Sequence, residues 1–241
     1  MRLSIVIPAY NEQDYLPDCL EQVLAEVRRC PDPEAVEVLV VDNASVDATA
    51  EVARRMQGVR VVHEPNKGLT RARQKGLEAA RGEVLGFVDA DTRMPPGWID
   101  RVLHTFERHP HVVCVSGPYV YYDAACWQRA MVRLYWIFLA SPAYWMTRYM
   151  VVGGNFAARR SALEQIGGFD TGIAFYGEDT NIARRLAKAG KVKFMLRLPM
   201  RTSSRRLRAE GMAATAGKYV ANFVSEVVLK RPVTQAYRDI R

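Results

Sequence analysis

Leu3-Ser4-Ile5-Val6-Ile7 runs directly into Pro8-Ala9-Tyr10-Asn11-Glu12, and beyond it Leu16, Leu20, Val23, Leu24 and Val27 recur at helical spacing. A short apolar run that gives way to a 3.6-residue period reads as a strand followed by a crossover helix. The unit then repeats. Val36 to Val41 is followed by Val52, Ala53 and Met56, and Val59 to Val62 by Leu69, Ala72, Gly76, Leu77 and Ala80; Val84 to Val88 is the fourth run. Strands alternating with helices predict an α/β fold with a Rossmann-like, mostly parallel central sheet flanked by helices.

Such sheets bind ligands beyond the carboxyl ends of their strands. The residues at those places are Pro8 to Glu12 after the first run, Asp42-Asn43-Ala44-Ser45-Val46-Asp47 after the second, and Asp89-Ala90-Asp91-Thr92 after the fourth. Ser45 and Asp47 taken singly read as helix caps. Three polar clusters on one rim point to a site. Asp89 and Asp91, separated by one small residue, can face a common hard cation. A cation there would stabilise charge that develops on a departing phosphate.

Glu178-Asp179 is the second acidic pair, followed by Ile182, Ala183 and Leu186 at helical spacing. It suits either an acidic first turn that complements a helix dipole or a general base for transfer to a hydroxyl. Asp179 is the candidate base. Lys67, Arg71 and Arg73, with Arg201, Arg205 and Arg206, are the cationic candidates for a diphosphate. Ser203-Ser204-Arg205-Arg206 is expected to fold over the site.

The chain has 241 residues, 49% of them apolar and 25% charged, which suits a globular protein and leaves room for an enzyme. No internal repeat or linker divides it, so one domain spanning 1–241 is expected. The formal net charge of +8 suits an anionic partner without choosing one. Nucleic acid would rest on charge alone, so none is expected as a partner. Cys19, Cys30, Cys114 and Cys126 are scattered and read as packing. No run approaches the ~20 apolar residues of a membrane-crossing helix, and the first residues lack a secretion signal. A cytoplasmic protein, in place at the inner face of a membrane or free of it, is the expectation. The aromatic stretch Trp127, Tyr135, Trp136, Phe138, Tyr144, Trp145 and Tyr149 is flanked by Arg129, Arg133 and Arg148. Two readings stay open for it: packing in the core or a homodimer, and peripheral contact with an anionic membrane.

In this order the motifs resemble a family 2 glycosyltransferase of the GT-A fold over roughly residues 3 to 206. The matching segments are Val6 to Glu12, Val41 to Thr49, Asn66-Lys67-Gly68-Leu69 with Arg71 and Arg73, and Phe87 to Thr92. Gly154-Asn155-Phe156-Ala157 with Arg159, Gly167-Gly168-Phe169-Asp170 and Gly177-Glu178-Asp179 complete the set. The resemblance implies inverting transfer of a sugar from a UDP-, GDP- or dTDP-linked donor to an acceptor of unknown identity, with Mn²⁺ or Mg²⁺ as cofactor. It implies that about 1–115 binds the nucleotide-sugar and about 116–241 the acceptor. Pro8, Ala9, Tyr10 and Glu12 would line the nucleotide pocket, Asp42 would contact the base, and Lys67 or Arg71 would support base and phosphates. Asp91 would be the metal ligand, with Asp89 and Ala90 beside the donor and Arg205 and Arg206 closing on it. Asn155 and Glu178 would lie on the acceptor side, with Asp179 as base. The chain departs from some relatives in having no late histidine for the metal and no Gln-x-x-Arg-Trp, which implies a non-processive enzyme. A nucleotidyltransferase should carry a Gly-rich phosphate loop after the first strand, and an inactive nucleotide-sugar binder should lack Asp91 or Asp179.

Overall fold

The computed structural model describes residues 1–173 and 176–229. Its first half follows the repeating pattern: β1 (Leu3–Ala9), α1 (Leu16–Arg29), β2 (Val36–Asp42), α2 (Thr49–Arg55), β3 (Val59–His63), α3 (Leu69–Ala79) and β4 (Val84–Val88). These four strands are parallel. The polar clusters after β1, β2 and β4 therefore share one edge. Asp47 accepts the N–H of Thr49 at the first residue of α2 (3.0 Å) from one residue before the cap position, which Ala48 holds.

The rest of the chain is β5 (Thr92–Arg93), α4 (Trp98–Arg108), β6 (Val112–Ser116), β7 (Tyr119–Tyr121), α5 (Cys126–Tyr135), a π-helical turn (Trp136–Ala140) and α6 (Ser141–Thr147). Then come β8 (Asn155–Arg159), α7 (Arg160–Gln165), α8 (Glu178–Leu186), β9 (Lys191–Phe194), β10 (Met200–Thr202), α9 (Arg205–Glu210) and α10 (Met212–Leu229). The main sheet has seven strands in the order β3-β2-β1-β4-β8-β6-β9. β8 runs antiparallel to both its neighbours. A second sheet, β5-β10-β7, stands beside it.

β1 explains why its sequence is a continuous apolar run. Leu3, Ile5 and Ile7 pack with Leu20 of α1 and Trp98 of α4 on one face, while Val6 packs with Ala72 and Leu77 of α3 on the other. A strand covered on both sides has no solvent face to mark with polar residues. Phe87 of β4 stacks on Phe156 of β8 with ring centroids 4.7 Å apart, and Phe169 meets Phe87 edge-on at 5.1 Å. Three of the four cysteines are buried, and burial pushes the Cys19 thiol up to about 12, so Cys19 acts as packing.

The aromatic stretch divides. Trp136 stacks on Phe194 and donates its indole N–H to the Tyr119 carbonyl (3.0 Å), and the Tyr144 hydroxyl donates to Val192 O. Trp127, Phe138 and Trp145 face outward.

Asn155 corrects an expectation. Its side chain is fully buried at the start of β8, where Oδ1 accepts the Trp98 indole N–H (2.9 Å) and Nδ2 donates to the carbonyls of Pro118 (3.2 Å) and Leu198 (2.8 Å). An indole can only donate and a carbonyl can only accept, so the amide has one orientation. It ties α4 and two loops to the middle of the sheet and does not reach the acceptor side. Asn155→Ala removes the amide partner of the buried Trp98 indole and of the Leu198 carbonyl, while the Pro118 carbonyl keeps the Met200 N–H (2.9 Å), and should cost about 2–4 kcal/mol. Urea unfolding checks this, and a loss under about 1 kcal/mol would count against the brace.

Candidate active site

A cavity of about 970 Å³ opens at the carboxyl edge of the parallel strands. Pro8, Ala9, Tyr10 and Glu12 enter it from the end of β1, Lys67 from the loop before α3, and Asp89-Ala90-Asp91 from the end of β4. Glu178 and Asp179 enter from the first turn of α8, and Arg205 and Arg206 from α9. Residues far apart in the chain thus share one cavity.

Two further expectations need correction. Asp42 does not line the cavity: it is buried behind it, where it accepts from Ser45 N–H (3.3 Å) and meets His63 Nδ1 (3.0 Å). Asn43 lines the wall instead. Its amide accepts from Gly68 N–H (2.7 Å) and donates to the carbonyls of Asn66 and Glu64, so it holds the Lys67 loop. Arg71 lies exposed on α3, away from the cavity, while Lys67 sits over the Tyr10 ring, 4.0 Å from its centroid.

The centre of the site is Arg73, one of the basic candidates, whose role the sequence reading missed. Gly76 and Leu77 lie three and four residues beyond it on the buried stripe of α3, so the helical register that buries them also buries Arg73. That spacing was the available signal. The guanidinium is 1% exposed and forms ion pairs with Glu178 (2.5 Å) and Asp89 (3.2 Å). Tyr119 donates its hydroxyl to the other oxygen of Asp89 (2.7 Å), and burial beside that carboxylate holds the phenol well above its usual range. Asp89 therefore sits fixed between two donors. Gly153 and Gly154 pass directly beneath. A Cβ on Gly154 would collide with the Asp89 carboxylate and the Tyr119 hydroxyl, and one on Gly153 with Glu178.

Burial raises the Glu178 carboxyl, with Arg73 opposing and the negative charges of Asp179 and Asp89 reinforcing the rise. Asp179 is raised too, first by burial, against the pull of the Thr180 N–H, which it accepts at 2.7 Å, and of Arg73. Across the cavity, Arg205 clamps Glu12 through both terminal nitrogens (2.8 and 2.6 Å) and reaches Asp91 through Nε (2.9 Å). Its guanidinium also covers the Tyr15 ring at 4.7 Å. β10 brings it there: Thr202 pairs with Thr92, and Ser203 N–H donates to Asp91 O (3.3 Å). Arg206 turns to Tyr176 (3.5 Å) and Glu210 (3.7 Å).

Among the described residues no three acidic, histidine or cysteine side chains cluster as a metal cage. Asp91 and Glu12 are cavity carboxylates that pair with Arg205 and stand outside the Arg73 ion pairs. A single carboxylate suits a hard cation of the Mg²⁺ type, which commonly takes one or two protein carboxylates and completes its shell with substrate phosphates and water.

Residues 4–167 match the model for Glycosyl transferase family 2. The chain belongs to that family. It is 32% identical over 126 residues to the glycosyltransferase GlyG of Streptococcus pneumoniae, covering 50% of this chain and 40% of that protein. It is 26% identical over 201 residues to the glucosyl-dolichyl phosphate glucuronosyltransferase of Haloferax volcanii, covering 74% of this chain and 59% of that one. The chain thus spans less than two thirds of these relatives. Among solved structures it resembles the mannosyltransferase PcManGT of Pyrobaculum calidifontis in complex with GDP-Man and Mn²⁺. There the TM-score is 0.65 at 22% identity, over 91% of this chain and 64% of that one. TarS 1–349 of S. aureus in complex with UDP gives 0.64 at 17% identity, over 94% and 71%. These likenesses show the GT-A fold.

Removing Arg73 would leave buried carboxylates without their cation. Arg73→Met should destabilise the chain by about 3 kcal/mol or more, and adding Glu178→Met should recover part of the loss. Urea unfolding of the single and double variants measures both, and an additive loss in the double would count against coupling.

Proposed function

We propose that the chain catalyses inverting transfer of a sugar from a nucleotide-sugar to an acceptor hydroxyl, with Mn²⁺ or Mg²⁺ held through Asp91. The observation that carries the reading is that Asp179 opens into the same cavity as Asp91, Glu12, Lys67 and Arg205. Donor-binding charge and a candidate base thus face one space. The GDP-Man and Mn²⁺ named with PcManGT and the UDP named with TarS support a nucleotide-sugar donor.

In this reading the nucleotide lies along Pro8, Ala9 and Tyr10, with Lys67 and Arg205 turned toward the diphosphate. Asp89, held by Arg73 and Tyr119, accepts hydrogen bonds from the donor's hydroxyls. When bound, the metal supplies positive charge to the departing diphosphate. Asp179 takes the proton from the acceptor hydroxyl as its oxygen attacks the anomeric carbon opposite the leaving group. One displacement inverts the centre. Asp179 suits this role better than Glu178 because Glu178 is committed to the Arg73 ion pair.

Three outcomes test this. Asp179→Asn should lower the rate of transfer by about 10² or more with nucleotide-sugar binding retained; normal transfer by that variant would sink the base assignment. A base works only when deprotonated, and burial raises Asp179, so activity should fall with decreasing pH from above the ordinary aspartate value of 3.8. A pH profile of kcat/KM reads this directly. In a thermal-shift screen of UDP-, GDP- and dTDP-sugars, one donor should raise the melting temperature more with Mn²⁺ than without. Asp91→Ala should erase that metal-dependent increment, and an increment that survives would remove Asp91 as the ligand.

A further inference from the structure

The cavity has two unlike ends. One holds the carboxylates and guanidinium described above. The other is walled by Met131, Leu134, Phe138 and Leu139 of α5 and its π turn, and by Val220 and Phe223 of α10. The hydroxyls and phosphates of a nucleotide-sugar gain nothing from such a wall, and the base can cover only a small part of it. The wall also continues out of the cavity. Leu134, Phe138 and Leu139 remain 48%, 67% and 59% exposed, and Trp127, Trp145 and Met146 extend the apolar face along α5 and α6. An exposed apolar face of this extent marks a binding surface.

Charge narrows the choice of occupant. No acidic residue lies between Asp123 and Glu164, while Arg129, Arg133 and Arg148 stand exposed along the same helices. Apolar side chains flanked along their own helices by cations suit hydrocarbon beneath an anionic headgroup layer. A water-borne glycan would match the charged end of the cavity and leave the apolar end wet. An amphiphile matches both ends at once.

Resting on the transfer reading above, we propose that the acceptor is carried on a long hydrocarbon chain, which lies between α5 with its π turn and α10 while the hydroxyl head reaches Asp179. The exposed face of α5 and α6 then rests on the anionic membrane that supplies this lipid. The continuity of the apolar wall with the charged cavity carries the proposal. The dolichyl phosphate named for the Haloferax volcanii relative is one molecule of this chemical class.

The test is calorimetric titration of the full chain, without donor, with decyl β-D-glucoside and methyl β-D-glucoside below the micelle concentration. The two share a headgroup and differ only in chain. Decyl glucoside should bind at least tenfold more tightly, and Phe138→Asp should cut that affinity at least fivefold. Phe138 is exposed, so its variant keeps the core intact; Leu134→Asp serves as a second variant. Equal affinity for the two glucosides would overturn the proposal, as would decyl binding indifferent to both substitutions. A concentration-dependent dimer that Phe138→Asp dissociates, with no preference for the longer chain, would overturn it in favour of a second copy. The readout is equilibrium binding without turnover, so it fails independently of the Asp179→Asn assay.

Discussion

A guanidinium sealed from water between two carboxylates is the constraint around which the site is arranged. Arg73 comes from α3, Asp89 from the end of β4 and Glu178 from the first turn of α8. Taking these charges out of water is costly, and the cost is offset only while all of them stay in place. The end of β4 and the first turn of α8 are therefore coupled electrostatically. The Gly153-Gly154 turn belongs to the same arrangement, because the absence of side chains there lets the network close over the backbone. Asp179, next to Glu178, takes its position from a helix whose first turn is anchored by Arg73.

Arg205 plays the complementary part at the other wall. Its guanidinium joins Glu12, which follows β1, to Asp91, which follows β4, and so places positive charge among carboxylates. Ser203 and Ser204 bind Asp123, which fixes the approach of α9 (3.0 and 2.6 Å). The late basic run therefore divides by position. Arg205 enters the cavity, Arg208 pairs with Asp123 at 2.8 Å, and Arg201 faces solvent. Only the fold assigns these roles, since the residues are alike in sequence.

The first half of the fold was legible because buried parallel strands are continuous apolar runs and their helices show a clear period. The edge carrying Glu12, Asp89 and Asp91 followed from that pattern. The second half was not legible in the same way. β7 and β10 are three residues long, β5 is two, and β8 is antiparallel within an otherwise parallel neighbourhood, so none carries a periodic signal. The acceptor-side place of Asn155 came from the family resemblance, and its single polar side chain gave no sign that its amide completes the hydrogen bonds of an indole and two carbonyls. Asp42 stood at the right strand end, but its carboxylate turned back toward His63 and Ser45. Arg73 was visible as a charge, but its burial could be read only by placing it on the same helical face as Gly76 and Leu77.

The position of β8 in the main sheet has a consequence for how the chain acquires its structure. β1 to β4 are complete by residue 88, yet the strand that covers the outer edge of β4 spans Asn155–Arg159. During synthesis the outer edge of β4, whose other edge pairs with β1, is open while about 70 further residues emerge, and at ordinary rates of 5–20 residues per second that interval lasts several seconds. An open, buried-type strand edge is the kind of surface that pairs with another chain. The late arrival of β8 makes this interval, more than the finished fold, the point at which the protein is open to misassembly and to chaperone capture.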